Sequence, residues 1–257
     1  MNEHRLIKCI ITFLILSVSL IGLSQNKSDG LGIPKLKKGE KRICHISYCF
    51  VYSEDYELAK WTAYILTKEM CEGDEKRQDD FLPDPEVLTA TANNADYKSS
   101  GYDRGHLVPA ADMTFSEESL AETFFYSNIC PQNASFNRGI WKELETEVRD
   151  YAKNLEKIYV VTGPIMASKY KTIGKNEVAV PEKFFKAILY FGEDGVQGIA
   201  FIMPNKKSDE NSVYSYAISI DKLESITNID FFPKLPFFLE KKAERNCDME
   251  FWLQEGK

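Results

Sequence analysis

Four consecutive residues, Asp103-Arg104-Gly105-His106, bring an acid, a guanidinium and an imidazole together. Arg104 can neutralise phosphate charge and donate forked hydrogen bonds. His106 can serve as a general base near neutral pH, and Asp103 can orient or pair with its neighbours. The same four residues also describe a surface turn with a stray histidine. Further along, Asn137 and Glu145 offer an amide oxygen and a carboxylate. Both are hard donors suited to a Mg2+ that keeps most of its waters. If one helix opens at Asn137, Glu145 stands about 80° round from it and roughly 12 Å up the axis, so both groups face broadly the same way. Asn is equally a favoured helix cap, and spacing alone leaves both roles open. Glu143 and Glu147 point elsewhere and read as a solvated face.

The elements that must hold these groups follow from periodicity. Ile140, Trp141, Leu144, Val148, Tyr151 and Leu155 form one apolar stripe and predict a helix over 137–155. A shorter helix is expected over 116–127, capped by Ser116, and another over 221–228, capped by Asp221. Residues 45–53, 58–70, 157–165, 184–191, 196–204 and 213–220 read as strands, rich in β-branched and aromatic residues. Residues 241–253 read as a C-terminal helix. Residues 71–102 are polar, carry turn formers, and read as a long loop with little regular structure. Strands and helices mix without βαβ alternation, which predicts an α+β fold with a mostly antiparallel sheet flanked by helices.

The 257 residues are 44% hydrophobic and 28% charged, which excludes disordered, collagen-like and multi-span membrane classes. A net charge of −7 is opposite in sign to that of a strongly basic nucleic-acid binder. A polyanion would therefore have to meet a metal ion or a local basic path, for which Lys35, Lys37, Lys38, Lys41, Arg42, Arg77, Arg104 and Arg138 are candidates. Residues 1–24 place two basic residues before an apolar run, Cys9–Leu23, and read as a cleaved signal peptide. The expectation is an exported protein, periplasmic or extracellular, with no membrane partner after cleavage. Residues 25–42 read as a polar leader arm and 43–257 as a single domain. Of the cysteines beyond the leader, Cys44, Cys49, Cys71, Cys130 and Cys247, some can pair and an odd one remains. Cys44, His45 and Cys49 lack the second ligand pair of a structural zinc site.

The stretch Asp103-Arg104-Gly105-His106-Leu107-Val108-Pro109-Ala110-Ala111-Asp112-Met113 resembles the signature of the DNA/RNA non-specific endonucleases, the ββα-metal nucleases. The resemblance continues through Ser127-Asn128-Ile129, Asn137, Trp141, Leu144-Glu145, Val161-Thr162-Gly163-Pro164 and Phe184-Phe185-Lys186, and spans about residues 45–235. It implies a ββα-metal motif and Mg2+-dependent hydrolysis of DNA and RNA, with Mn2+ as the alternative ion. It implies His106 as the general base, Asn137 as the direct metal ligand, and Glu145 as the holder of a metal-bound water. Arg104 and Arg77 match arginines that contact phosphate, Asn128 an asparagine supporting the site, and Arg149 another family arginine. Asp103 is expected to brace rather than react.

A catalytically inactive member that binds nucleic acid or a partner is the alternative. The presence of His106, Asn137 and Glu145 together favours the enzyme, since a binding module needs no such set.

Overall fold

The computed structural model describes residues 30–192 and 195–256; the predicted signal peptide lies outside the described residues. In chain order the elements are β1 (Arg42–Cys44), β2 (Tyr48–Ser53), β3 (Leu58–Thr67), α1 (Asn94–Tyr97), β4 (Asp103–His106), α2 (Glu117–Glu122), β5 (Ile129–Gln132), α3 (Ala134–Asn137) and α4 (Ile140–Leu155). There follow β6 (Lys157–Ile165), β7 (Thr172–Ile173), β8 (Val178–Ala179), β9 (Lys183–Gly192), β10 (Gly195–Pro204), β11 (Ala217–Ile218), α5 (Ile220–Thr227), α6 (Phe237–Arg245) and α7 (Met249–Glu255).

Seven strands form one sheet in the order β1-β2-β3-β6-β9-β10-β11, with every neighbouring pair antiparallel. Both faces are covered, which is why β9 reads as an almost unbroken apolar run. Phe184, Ile188 and Tyr190 enter the core on the front face, while Phe185, Ala187 and Leu189 enter a second core on the back. The front core receives the stripe of α4, with Ile140, Trp141, Leu144, Val148 and Tyr151 all buried. The back core receives Ile220 and Leu223 from α5 and Ala243 from α6. This is the expected α+β architecture of a largely antiparallel sheet flanked by helices.

The candidate site residues from Arg77 to Glu145 all lie between β3 and β6, two strands that pair directly with each other (Thr62 opposite Thr162). Within that excursion β4 and β5 form a separate two-stranded antiparallel ribbon, Asp103 opposite Gln132 and His106 opposite Ile129. The ribbon leads into α3 and α4, giving the ββα order. Gly105 faces Cys130 in the ribbon, and a Cβ at this position would collide with the Gln132 side chain. A glycine is therefore required between Arg104 and His106.

Several expectations are corrected. The helix predicted over 137–155 is two helices. Asn133 caps the short α3, whose last residue is Asn137, and α4 starts afresh after Gly139. Asn137 is therefore not an N-cap, and the helical spacing to Glu145 does not apply. Residues 213–216 form a 3-10 turn rather than a strand, because the Ser212 side chain accepts from the Tyr214 N–H. The helix at 220–227 is capped by Ser219, not Asp221, and ends on Asn228 in a left-handed conformation that Asn tolerates. The C-terminal helix breaks into α6 and α7, the latter capped by Asp248. The polar leader is not free from residue 30 onward. Leu31 and Ile33 are buried in the back core, and the Lys35 N–H donates to the Asp230 carbonyl at 2.9 Å. Cys44 and Cys49 close the β1–β2 turn as a disulfide, which removes both from any zinc site, and Cys71, Cys130 and Cys247 are free thiols.

Candidate active site

A cavity of about 590 Å³ opens beside the ribbon. Its wall combines Arg77, Asp79 and Phe81 from the long loop, Asn94 and Tyr97 from α1, Asp103 and Arg104 from β4, and Asn137 and Arg138 from the end of α3. The sequence-predicted residues Arg77, Arg104 and Asn137 thus converge from segments far apart in the chain. Three guanidinium groups in one cavity supply the local cationic surface that the net charge of the whole chain conceals.

Asp103 organises one side. Arg138 donates to it through Nε at 2.8 Å and Nη2 at 2.7 Å, and the Asn137 amide nitrogen donates to Oδ2 at 3.0 Å. Partial burial works against the Asp103 charge, but these donors outweigh it and hold the carboxyl below the usual range. A carboxylate only accepts, so this bond turns the Asn137 amide such that its carbonyl oxygen is the end left for a cation.

Arg104 organises the other side. Its Nη1 donates to Asn94 Oδ1 at 2.6 Å, an oxygen that Tyr126 also engages at 2.8 Å. The guanidinium lies 4.3 Å over the Phe81 ring. Arg77 pairs with Asp79 and lies 5.2 Å from the Phe124 ring. Phe81 and Phe124 are in turn the rings against which His106 packs, at 5.7 and 5.1 Å between centroids. Phe81 thus touches both the Arg104 guanidinium and the His106 ring, and Phe124 both the Arg77 guanidinium and that same ring.

His106 is 8% exposed, and its Nε2 is buried with no hydrogen-bond partner. Burial, reinforced by the positive charge of Arg77, pushes its pKa down to about 3. The imidazole is neutral at physiological pH, as proton acceptance requires. This lies well below the value of about 6.5 for an unperturbed histidine.

Glu145, half-buried on α4, belongs to a charge cluster beneath the front core. Burial raises its pKa to about 7, opposed by the charge of Lys186 and assisted by that of Asp112. Lys186 is fully buried, donates to Thr162 Oγ1 at 2.7 Å, and lies 4.9 Å over the Trp141 ring. Asp112, also fully buried, accepts from Arg149 at 2.9 Å and from the Tyr64 hydroxyl at 2.8 Å. Arg149 is therefore committed to an internal ion pair.

Asn128 does not reach the cavity. Its buried side chain accepts from the Val108 N–H at 2.9 Å and donates to the Val108 and Thr123 carbonyls at 3.0 and 2.9 Å. It pins the backbone two residues past His106 and positions rather than reacts. On the cavity wall the amide oxygen of Asn137, left free by Asp103, is a hard donor of the kind a divalent ion takes, whereas Glu145 is not among the cavity-lining residues.

Phe81, Asn94 and Asp79 were not singled out from the sequence. The Phe-Leu-Pro-Asp and Asn-Asn-Ala-Asp stretches look like ordinary loop, and only the tertiary approach to Arg104 and Arg77 distinguishes them. Lys186 was legible as part of a motif but carried no assigned role.

The family model for DNA/RNA non-specific endonuclease matches residues 30–238. The chain is 33% identical over 222 residues to Nuclease EXOG, mitochondrial, of Xenopus laevis, covering 80% of this chain and 62% of that protein. It is 33% identical over 218 residues to Endonuclease G, mitochondrial, of Homo sapiens, covering 79% and 71%. It is 32% identical over 212 residues to a Nuclease of Nostoc sp. (strain PCC 7120 / SAG 25.82 / UTEX 2576), covering 78% and 76%. A chain in the crystal structure of the EndoG/EndoGI complex superposes with a TM-score of 0.74 at 29% identity, covering 81% of this chain and 91% of that one. The matched region spans 62% and 64% of the Xenopus laevis and Danio rerio EXOG nucleases, less than two thirds of either. The expected export is corrected by these relatives. The animal nucleases and Nuclease 1 of Schizosaccharomyces pombe are named as mitochondrial, not as exported proteins. With a matching model over most of its length and relatives above 30% identity, this chain belongs to the DNA/RNA non-specific endonuclease family.

Proposed function

We propose that this protein is a Mg2+-dependent nuclease that hydrolyses phosphodiester bonds of DNA and RNA without sequence preference. The observation that carries the reading is His106: a neutral, buried imidazole with an unpartnered Nε2, packed against the ring that supports Arg104. A neutral imidazole has the lone pair to take a proton from an attacking water, and the entry of water and phosphate beside Nε2 would relieve the burial that lowers its pKa and bring its basicity toward the range this step needs. Asn137 Oδ1 would hold the metal, and Glu145 would hold one of its waters. When bound, Mg2+ supplies Lewis-acid stabilisation of the phosphate and its leaving oxygen. Arg104 and Arg77 neutralise phosphate charge from the cavity wall, and Arg138 steadies Asp103 so that the Asn137 amide keeps its direction. These groups address phosphate and carry no base information, which supports sequence-independent cleavage.

Plasmid nicking and RNA degradation by the purified chain, with a panel of divalent ions and with EDTA, test the reading. Cleavage of both substrates with Mg2+ or Mn2+, abolished by EDTA, is the expected result. Binding of nucleic acid without cleavage under any ion would instead identify a non-catalytic member.

A further inference from the structure

The cavity wall carries four cations, Arg77, Lys98, Arg104 and Arg138, against two carboxylates, Asp79 and Asp103. Asp79 is paired with Arg77, and Asp103 with Arg138. Arg104 and Lys98 are left with no carboxylate at ion-pair distance among the described residues. Arg104 is nonetheless held, by Asn94 and by the Phe81 ring that touches His106. Lys98 is not. Its side chain is exposed, and among the described residues its ammonium has neither a hydrogen-bond acceptor nor an aromatic ring beneath it.

The backbone at Lys98 is fixed all the same. Asn93 and Asp96 close a capping box on α1. Asp96 also accepts from the backbone and the side chain of Asn176, at 3.1 and 2.9 Å. The Tyr97 hydroxyl donates to the Ile129 carbonyl on β5 at 3.2 Å. Lys98 follows directly, and its N–H closes the turn on the Asn94 carbonyl at 3.1 Å. The residue that holds Arg104 and the unpaired lysine therefore share one moored turn. Clefts lined by one sign of charge concentrate ions of the other sign.

We propose that Lys98 binds the phosphate next to the one that is cleaved, so that the cavity engages a polynucleotide strand through at least two phosphates. This rests on the reading that the cavity takes nucleic acid. Arg77 and Arg104 lie over the rings that pack on His106, and Lys98 lies over neither. The reacting phosphate therefore falls to the arginines and a neighbouring one to the lysine. A lysine ammonium is a point charge that meets phosphate without the fixed fork of a guanidinium, which suits a backbone contact away from the reacting atoms. Such a contact is as strong before the reaction as during it, so it lowers KM and leaves kcat unchanged.

Fluorescence anisotropy of a labelled single-stranded DNA with the full chain in EDTA, repeated across a salt series, reads binding apart from cleavage. Lys98→Ala should weaken binding about tenfold and make the salt dependence shallower by about 0.7 in log–log slope. Its melting temperature should match the parent's, and Lys98→Arg should restore affinity and slope. Lys222→Ala removes an exposed lysine from α5 with the same change in net charge and should behave as the parent. In Mg2+-dependent cleavage of the same DNA, Lys98→Ala should raise KM about tenfold at unchanged kcat. Parental affinity and KM in Lys98→Ala, or an equal loss in Lys222→Ala, would overturn the proposal and leave the nuclease reading standing. A fall in kcat with KM unchanged would overturn it by placing Lys98 at the reacting phosphate. A parent that neither binds nor cleaves the DNA would overturn the nucleic-acid reading and this proposal with it.

Discussion

The amide nitrogen of Asn137 donates to Asp103 Oδ2 at 3.0 Å, the same carboxylate that receives both arms of Arg138. Asp103 lies on the ribbon and Asn137 ends the helical turn that follows it, so the bond fixes the proposed metal ligand to the strand that carries Arg104 and His106. Asn137→Ala should lower cleavage by orders of magnitude and raise the Mg2+ needed. Asp103→Ala should leave the ligand in place but unoriented, with a milder loss of about 10–100-fold. Initial rates across a Mg2+ titration check both. Full activity of Asn137→Ala at unchanged Mg2+ would remove the ligand assignment.

His106→Ala should cut the cleavage rate by about 10²–10⁴-fold while DNA affinity stays near that of the parent, because Asn137 and the arginines are untouched. Cleavage rate and affinity measured on the same folded variant separate the outcomes. Loss of binding along with cleavage would make His106 structural.

The low pKa of His106 has a sign that can be measured. The folded state holds the ring neutral down to about pH 3, whereas the unfolded chain protonates it near 6.5. The unfolded state therefore binds the extra proton as pH drops below about 6.5, and stability falls progressively until about pH 3. Denaturant unfolding between pH 4 and 8 should show this loss in the parent and a shallower one in His106→Gln. The acid limb of cleavage should likewise not follow a group titrating at 6.5 in the free enzyme. A parent and variant with identical pH–stability curves would contradict the buried neutral imidazole.

Asn128→Ala removes three buried hydrogen bonds and strands the Val108 N–H. It should destabilise the fold by about 2–4 kcal/mol, read as a shift of the denaturation midpoint. Residual activity per folded molecule should stay well above that of His106→Ala. Activity lost without any loss of stability would place Asn128 in the chemistry instead.

Glu145→Gln keeps shape and removes charge beside Lys186. It should reduce activity by about 10–100-fold, less than Asn137→Ala. A greater loss than that of Asn137→Ala would make Glu145 a direct ligand.

What could be read from the chain was local. The stripe from Ile140 to Tyr151 repeats along one helix face, and β9 alternates between two cores, so neighbours in sequence report neighbours in space. The chemistry of Asp103 to His106 was legible for the same reason. The mounting of Asn137 was not, because the apolar stripe begins at Ile140 and nothing in its period marks the break at Gly139. Nor could sequence show that Phe81 would pack against both Arg104 and His106, or that Arg149 would be spent on Asp112, since these contacts join segments with no shared periodicity. Leu31 and Ile33 were hidden by the polar composition around them.

The path from β3 to β6 has a kinetic consequence. Every candidate catalytic residue travels on one excursion between two strands that must lie side by side, and its ends are clasped by Lys68 and Glu156, 88 positions apart, at 2.8 Å. Closing so long a loop costs little more free energy than closing one half its length, only about 0.6 kcal/mol, but so distant a pairing forms slowly. The central seam of the sheet is therefore expected to close late in folding. A chain caught before that closure would carry all of its chemical groups with nothing to converge on.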